Sequence, residues 1–310
     1  MNEKLPVTAV ILTYNEQKNL RTCLDSLSPY IAQIIIMDSF SQDNTLDIAR
    51  EYTTHIYQHK FENHALQFNY ALAHCEFHNE WIFRVDADER MDPHSFVQLQ
   101  EIITDPEVMG ISLRKKIYFM GKWIRFGGYY PNHFVRLFRK GKGAVENRWM
   151  DEHVQVHGKV FQSKIDIIEA NYDREQNISL WTTKHNDYAT REAVGFLKSK
   201  YNLGSEETIA RLFGTKTERK RWFKEKAYYI TPLHFRAFIY FIYRYFLLLG
   251  FLDGYRGFIY HLLQAFWYRF LVDTKIYQFE TLSKKKGTRI QDEIVAQFPN
   301  FSDTLNTKKL

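Results

Sequence analysis

Residues Trp81-Ile82-Phe83-Arg84-Val85 run without a break into Asp86-Ala87-Asp88-Glu89. The first half carries aromatic and β-branched side chains and neither Gly nor Pro, the composition of a buried strand. The second half puts three acids in four positions. Carboxylates that close together repel unless a positive charge sits among them. A hard divalent cation with oxygen ligands meets that need, and a bound diphosphate completes its shell. Ligands of open α/β sheets bind at the carboxyl ends of strands, where these acids fall. An acidic turn capping a helix that begins near Asp92-Pro93 would look the same in isolation, and Glu89 is a candidate for that cap.

The preceding chain alternates strand and helix. Val7–Leu12, Ile31–Met37, His55–Tyr57 and Trp81–Asp86 read as strands. Between them, helical spacing joins Leu20, Cys23, Leu24 and Leu27, then Leu46, Ile48 and Ala49, then His64–Cys75. Alternation of this kind predicts a mostly parallel sheet with right-handed crossovers. No Gly-x-Gly-x-x-Gly and no Gly-Lys-Ser/Thr is present, which argues against a dinucleotide fold and a P-loop. After Asp105-Pro106 the rhythm changes. Met109–Phe119 and His133–Phe138 read as strands, Gly141-Lys142-Gly143 as a turn, and Val154–Val156 with Val160-Phe161 as a hairpin about His157-Gly158. Ile178–Lys200 reads as a helix, and Thr215–Lys226 is a basic run.

The chain of 310 residues is 45% hydrophobic and 25% charged, enough for one large or two modest cores. Cys23 and Cys75 make no disulfide framework and indicate a reducing compartment. The first residues lack an apolar export signal. A net charge of +6 and 16% aromatic content, both skewed toward the C-terminus, point to nucleic acid or an anionic membrane surface.

Thr13-Tyr14-Asn15-Glu16 after the first strand, Asp38 after the second and Asp86-Ala87-Asp88-Glu89 after the fourth together resemble family 2 glycosyltransferases of the GT-A fold. The resemblance spans about residues 5 to 200 and is nearest to bacterial enzymes of lipopolysaccharide core, capsule and related surface glycans. In that group an Arg-Leu-Phe-Arg segment, here Arg136–Arg139, precedes a Glu-containing motif, here Met150-Asp151-Glu152-His153. The resemblance implies an α/β GT-A domain over 1–225, with a nucleotide-sugar half (1–105) and an acceptor and catalytic half (106–225). It implies donor contacts from Thr13, Tyr14, Asn15, Glu16, Asp38, Ser39, Gln67, Asn69, Asp86 and Ala87. Phe68 stands where the family often has a basic residue, so no cation–diphosphate contact is expected there. Asp88, with Asp86, would hold Mg²⁺ or Mn²⁺. Glu152, or the adjacent Asp151, would be the base. Tyr129, Tyr130, Arg136 and Trp149 would face the acceptor.

Residues 226–310 are expected to form a helical, aromatic-rich, membrane-associating region. A helix over Phe235–Leu249 gathers Arg236, Tyr240, Tyr243 and Arg244 on one face. A second helix after Gly250–Gly257 lines up Arg256, Tyr260, Gln264 and Tyr268. Arg244, Asp253 and Arg256 interrupt any clean transmembrane run. The expectation is a cytoplasmic, metal-dependent, inverting enzyme at the inner membrane face. It would move a sugar from a nucleotide donor, UDP-linked, to a lipid-linked oligosaccharide or lipopolysaccharide-core acceptor, with no nucleic-acid partner. Two other readings compete. A sugar-phosphate nucleotidyltransferase would need a Gly-rich N-terminal loop, which is missing. A basic nucleic-acid-binding or scaffold protein would leave Asp86, Asp88 and Glu152 unexplained.

Overall fold

The computed structural model describes residues 3–146, 153–201, 203 and 231–298. The chain divides into two compact units, Met1–Ser179 and Leu180–Leu310. Positions 225 and 226, where the sequence reading sets its boundary, lie outside the described residues, as does the basic run Thr215–Lys226.

The first unit is built on a nine-stranded sheet of order β3-β2-β1-β4-β8-β6-β11-β5, with β7 paired to β6. The strands are β1 Leu5–Thr13, β2 Ile31–Asp38, β3 Ile56–Gln58, β4 Trp81–Asp86, β5 Glu89–Arg90, β6 Val108–Phe119, β7 Lys122–Ile124, β8 His133–Arg139 and β11 Lys159–Glu169. β1, β2, β3, β4, β6 and β11 point the same way, while β5, β7 and β8 run against them. This mixed, mostly parallel sheet is the one expected from the alternation, and it agrees with the GT-A fold that the resemblance implies. Helices α1 Leu20–Leu27, α2 Thr45–Arg50, α3 His64–His74 and α4 Pro93–Ile103 are the connections.

Both faces of β1 are buried, which is why it reads as an unbroken apolar run. Val7, Ala9 and Ile11 pack with Leu20, Leu24, Ala49, Phe96 and Leu99, so α1, α2 and α4 cover one face. Val10, Ile35 and Met37 pack with Ala65, Phe68 and Ala71 of α3 on the other. Phe68 therefore fills the core where the family often places a cation. Leu24 and Phe96 are fully buried, each worth about 1.5–3 kcal/mol.

The expected hairpin about His157-Gly158 does not form. β10, Val154–Val156, pairs antiparallel with β9, Gly143–Val145, in a separate two-stranded sheet. β11 instead joins the main sheet beside β6. Gly158, at φ 126°, makes the change of direction that a side chain would resist.

The second unit contains α6 Ile178–Lys200, which begins at the division, and a set of C-terminal helices. These are α7 Phe235–Ile242, continued by a π-helical stretch Tyr243–Leu247, a short 3₁₀ turn Gly250–Asp253, and α8 Gly254–His261. A second π-helical stretch, Leu262–Trp267, leads into α9 Tyr268–Lys286, and α10 Ile290–Gln297 follows. A helix of five residues, α5 Tyr172–Gln176, precedes α6 in the first unit. The stripe Arg256, Tyr260, Gln264, Tyr268 is not one exposed face: Tyr260 and Tyr268 are buried, and only Arg256 is open to solvent.

Candidate active site at the strand ends

Register brings the sequence candidates to one edge. Thr13 is opposite Asp38, and Leu12 is opposite Asp86. Three segments separated along the chain therefore end side by side, and the loops after them share one rim.

Asp38 is fully buried and organises that rim. Oδ1 accepts from the Thr13 hydroxyl at 2.9 Å and the Ser41 hydroxyl at 2.5 Å. Oδ2 accepts from the Ser41 N–H at 2.9 Å and the Gln58 amide at 3.1 Å. Asn15, at φ 54°, locks the two loops: its N–H donates to Ser41 Oγ and its Oδ1 accepts from the Gln42 N–H. The Glu16 N–H donates to Thr45 Oγ1, and its carboxylate accepts from Asn19. The Tyr14 ring projects outward, 58% exposed, and is open to stack on a flat ligand. Gln67 is buried beneath Ser39, donating to its hydroxyl at 3.1 Å and to the His59 carbonyl at 3.0 Å. Asn69 has a different task. Its amide donates to the Val145 carbonyl at 2.8 Å and accepts from the Val145 N–H at 3.0 Å.

The acids after β4 separate into distinct settings. Asp88 is tied to the end of β11: its carbonyl accepts from the Ala170 N–H at 3.1 Å and its carboxylate from the Asn171 amide at 2.9 Å. A cavity of about 440 Å³ opens beside it, lined among others by Lys18, Asn19, Thr22, Tyr118, Tyr172 and Glu175. Asp86 keeps a side chain 37% exposed at the rim. Glu89 is fully buried and caps no helix; it accepts from the Asp86 N–H at 3.0 Å.

Much of the missing positive charge comes from the protein. Arg136, expected at the acceptor, is 5% exposed and donates to Asp86 at 3.0 Å and to Glu89. The central position of β8 forces this, because β8 lies directly against β4. Lys115 of β6 approaches Glu89 at 3.3 Å and pairs with Glu169. Burial alone would raise the Asp86 carboxyl, but Arg136, Arg84 and Lys115 hold it well below the usual carboxylate range. Burial pushes Glu89 up, to about 7, against the pull of Arg136. Lys115 was not a sequence candidate; the basic Arg114-Lys115-Lys116 run in a strand between apolar residues was the available signal.

Trp149, Asp151 and Glu152 lie outside the described residues. The strands flanking them are β9 and β10, with Val145 opposite Val154 and the Glu146 N–H donating to the His153 carbonyl at 3.0 Å. Asn69 grips the first of these strands through Val145. Tyr129 and Tyr130 sit in the loop before β8. The Tyr130 hydroxyl donates to Asp166 at 2.9 Å, and burial raises its pKa.

Asp86 and Asp88 are hard oxygen donors suited to a divalent cation. Among the described residues no group of three or more His, Cys, Asp or Glu is placed to hold a metal unaided. A cation held by these two carboxylates would need its remaining ligands from a bound diphosphate.

The family model described as glycosyl transferase family 2 matches residues 8–173, more than half of the chain. The chain belongs to glycosyl transferase family 2. Membership makes the chain a glycosyltransferase rather than a sugar-phosphate nucleotidyltransferase or a non-enzymatic scaffold. The lipopolysaccharide core biosynthesis glycosyltransferase LpsC of Rhizobium meliloti is 32% identical over 157 residues, 47% of this chain and 55% of that protein. The glycosyltransferase SunS of Bacillus phage SPbeta is 24% identical over 219 residues, 70% of this chain and 47% of that one. The chain thus spans about half the length of these two relatives. An uncharacterized glycosyltransferase of Rickettsia felis is 25% identical over 300 residues, 94% of this chain and 95% of that one. Among solved structures, glucosyl-3-phosphoglycerate synthase from Mycobacterium tuberculosis with Mn²⁺ and uridine-diphosphate-glucose is 17% identical. That match covers 36% of this chain and 43% of that one at a TM-score of 0.31, too distant to bear on activity.

Proposed function

We propose that this family 2 glycosyltransferase is an inverting enzyme that moves a sugar from a UDP-sugar to a lipid-linked saccharide. The carrying observation is the strand register that sets Thr13, Asp38 and Asp86 on one rim, with Asp88 at the mouth of a cavity. Tyr14 offers a face to the base, and the loop built on Asp38 and Ser39 shapes the nucleoside pocket. Asp86 and Asp88 would hold Mg²⁺ or Mn²⁺. Bound there, the ion offsets charge on the diphosphate as it leaves.

Glu152, or Asp151 beside it, takes the proton from the acceptor hydroxyl. The freed oxygen forms a bond to the anomeric carbon from the face opposite the diphosphate, which departs with the bonding pair. A saccharide acceptor on lipid is supported by the likeness to LpsC, whose name assigns it to lipopolysaccharide core biosynthesis. A screen of nucleotide-sugars by thermal shift with Mn²⁺ tests the reading. A donor at a hundred times its Kd adds about 2.7 kcal/mol, and Asp88→Ala should remove that gain while the fold survives. A shift identical in EDTA, or undiminished in Asp88→Ala, would sink the metal assignment; no shift with any nucleotide-sugar would sink the donor assignment.

A further inference from the structure

The C-terminal helices bury polar side chains beside apolar ones such as Ala237, Ala265 and Val272, and leave large apolar side chains open. Arg236, Asp253, His261 and Asp273 are turned inward, at 5%, 3%, 0% and 0% exposure. Arg236 and Asp273 form a buried ion pair through Nε and Oδ1 at 2.8 Å, and Asp273 also accepts from the His234 N–H at 2.9 Å. The opposite side is apolar and open. Phe235, Phe238, Ile239, Ile242 and Phe246 recur at helical spacing along one stripe, and all are exposed. The stripe continues around the bend through Leu247, Leu252 and Tyr255, at 71%, 50% and 78% exposure.

The bend is built in. Segments Phe235–Leu247 and Gly250–Lys286 meet at 70°. Leu249 takes a left-handed φ of 59°. A Cβ on Gly250 would lie 2.5 Å from His261 Nε2 and 2.9 Å from the Arg244 carbonyl, so only glycine lets the two arms close.

Charge selects the occupant. From Leu233 to Val272 the chain carries four arginines and one acid, Asp253, which is buried; Arg236 is paired with buried Asp273 and Arg269 with Glu192, Arg244 is half-buried, and Arg256 is open to solvent. Among the described residues of this segment no exposed acid is present to pair with Arg256 of a second copy. An anionic lipid surface complements both the apolar stripe and the exposed Arg256 beside it. Among the described residues no single helix is long and apolar enough to cross a membrane.

We propose that residues 235–256 form a docking surface that enters one leaflet of an anionic bilayer, with the Leu247–Leu252 apex leading. The surface belongs to the C-terminal unit alone, so its failure and that of the transfer chemistry are separately visible.

Full-length protein is mixed with vesicles of phosphatidylcholine, with or without phosphatidylglycerol, and sedimented. The protein should pellet with the anionic vesicles. Leu247→Glu with Leu252→Glu should cut partitioning more than tenfold, since it sets two carboxylates where exposed leucines would enter the acyl region of an anionic leaflet. Arg256→Gln should cut it roughly fivefold on anionic vesicles only, the equivalent of about 1 kcal/mol per cation. The substituted residues are exposed, so unchanged melting temperatures will show that the fold is intact. Wild type remaining in the supernatant, or the double variant pelleting like wild type, would overturn the proposal. So would a wild-type dimer that the double variant converts to monomer with vesicle binding unaltered, which would make the patch a self-association face.

Discussion

Arg136 and Glu89 meet as a buried ion pair directly beneath Asp86, to which the same guanidinium also donates. Removing one partner of a buried pair strands a charge, at a cost of about 3–5 kcal/mol. Arg136→Leu should therefore lower stability by about that amount, read as a shift in the denaturation midpoint. Arg136→Leu combined with Glu89→Leu should recover part of the loss, because no carboxylate is then left buried at position 89. Equal losses in the single and double variants would show that the pair is not what holds this corner together.

Asn69 satisfies both backbone groups of Val145 from a helix on the other side of the loop. Asn69→Ala leaves a donor and an acceptor without partners, costing about 1–3 kcal/mol. Because β9 leads into the segment holding Asp151 and Glu152, turnover should fall while donor affinity by calorimetry stays near wild type. Asn69→Asp, which keeps the acceptor and loses the donor, should fall between the two. A loss confined to donor affinity would instead place Asn69 at the nucleotide.

The base acts only in the transition state, so its removal should lower the rate and spare donor binding. Glu152→Gln should reduce transfer roughly 10²–10⁴-fold, with the nucleotide-sugar bound normally. Asp151→Asn, made in parallel, is the control. Should Asp151→Asn be dead and Glu152→Gln active, the role moves by one residue. Two active variants would put the base elsewhere.

His261 supplies a pH signature for the C-terminal unit. Burial first, and then Arg244, lowers its pKa to about 4. The folded state thus keeps it neutral where the unfolded chain, at about 6.5, takes up a proton. Its contribution is fully present above the unfolded value and is lost as pH falls from there through about 4. The span corresponds to at most about 3–4 kcal/mol. Thermal unfolding followed by circular dichroism should weaken across that window in wild type, and much less in His261→Gln. Parallel curves for the two proteins would assign the acid sensitivity to other groups.

The first half of the fold was legible because each element answered to local pattern. β1, β2 and β4 are apolar runs bounded by loop residues, and their ends carry Thr13, Asp38 and Asp86. What surrounds Asp86 was not legible. Arg136 is fifty positions away and reaches it only because β8 runs antiparallel between β4 and β6. A sequence shows Arg136 as one more cation near a catalytic motif; non-local pairing makes it a buried counter-charge. The hairpin about His157 failed for the same reason. Val154–Val156 and Lys159–Glu169 look like neighbours, yet each finds a better partner in a distant strand. The C-terminal helices were recognisable as helices, while which side of them faced inward depended on Asp273, far along the chain from Arg236.

The wedge of β8 between β4 and β6 also fixes a schedule for synthesis. Translation proceeds at about 5–20 residues per second, so Arg136 follows Asp86 from the ribosome by roughly 2.5–10 s over their separation of 50 positions. During that interval β1, β2, β3 and β4 can already align, but Asp86 and Glu89 have no guanidinium between them and β4 presents an open edge. The nascent chain thus passes through a stage with half a sheet and an acidic corner that has Arg84 nearby but not yet Arg136. It is then that a chaperone, or a free divalent ion, has the most to grip.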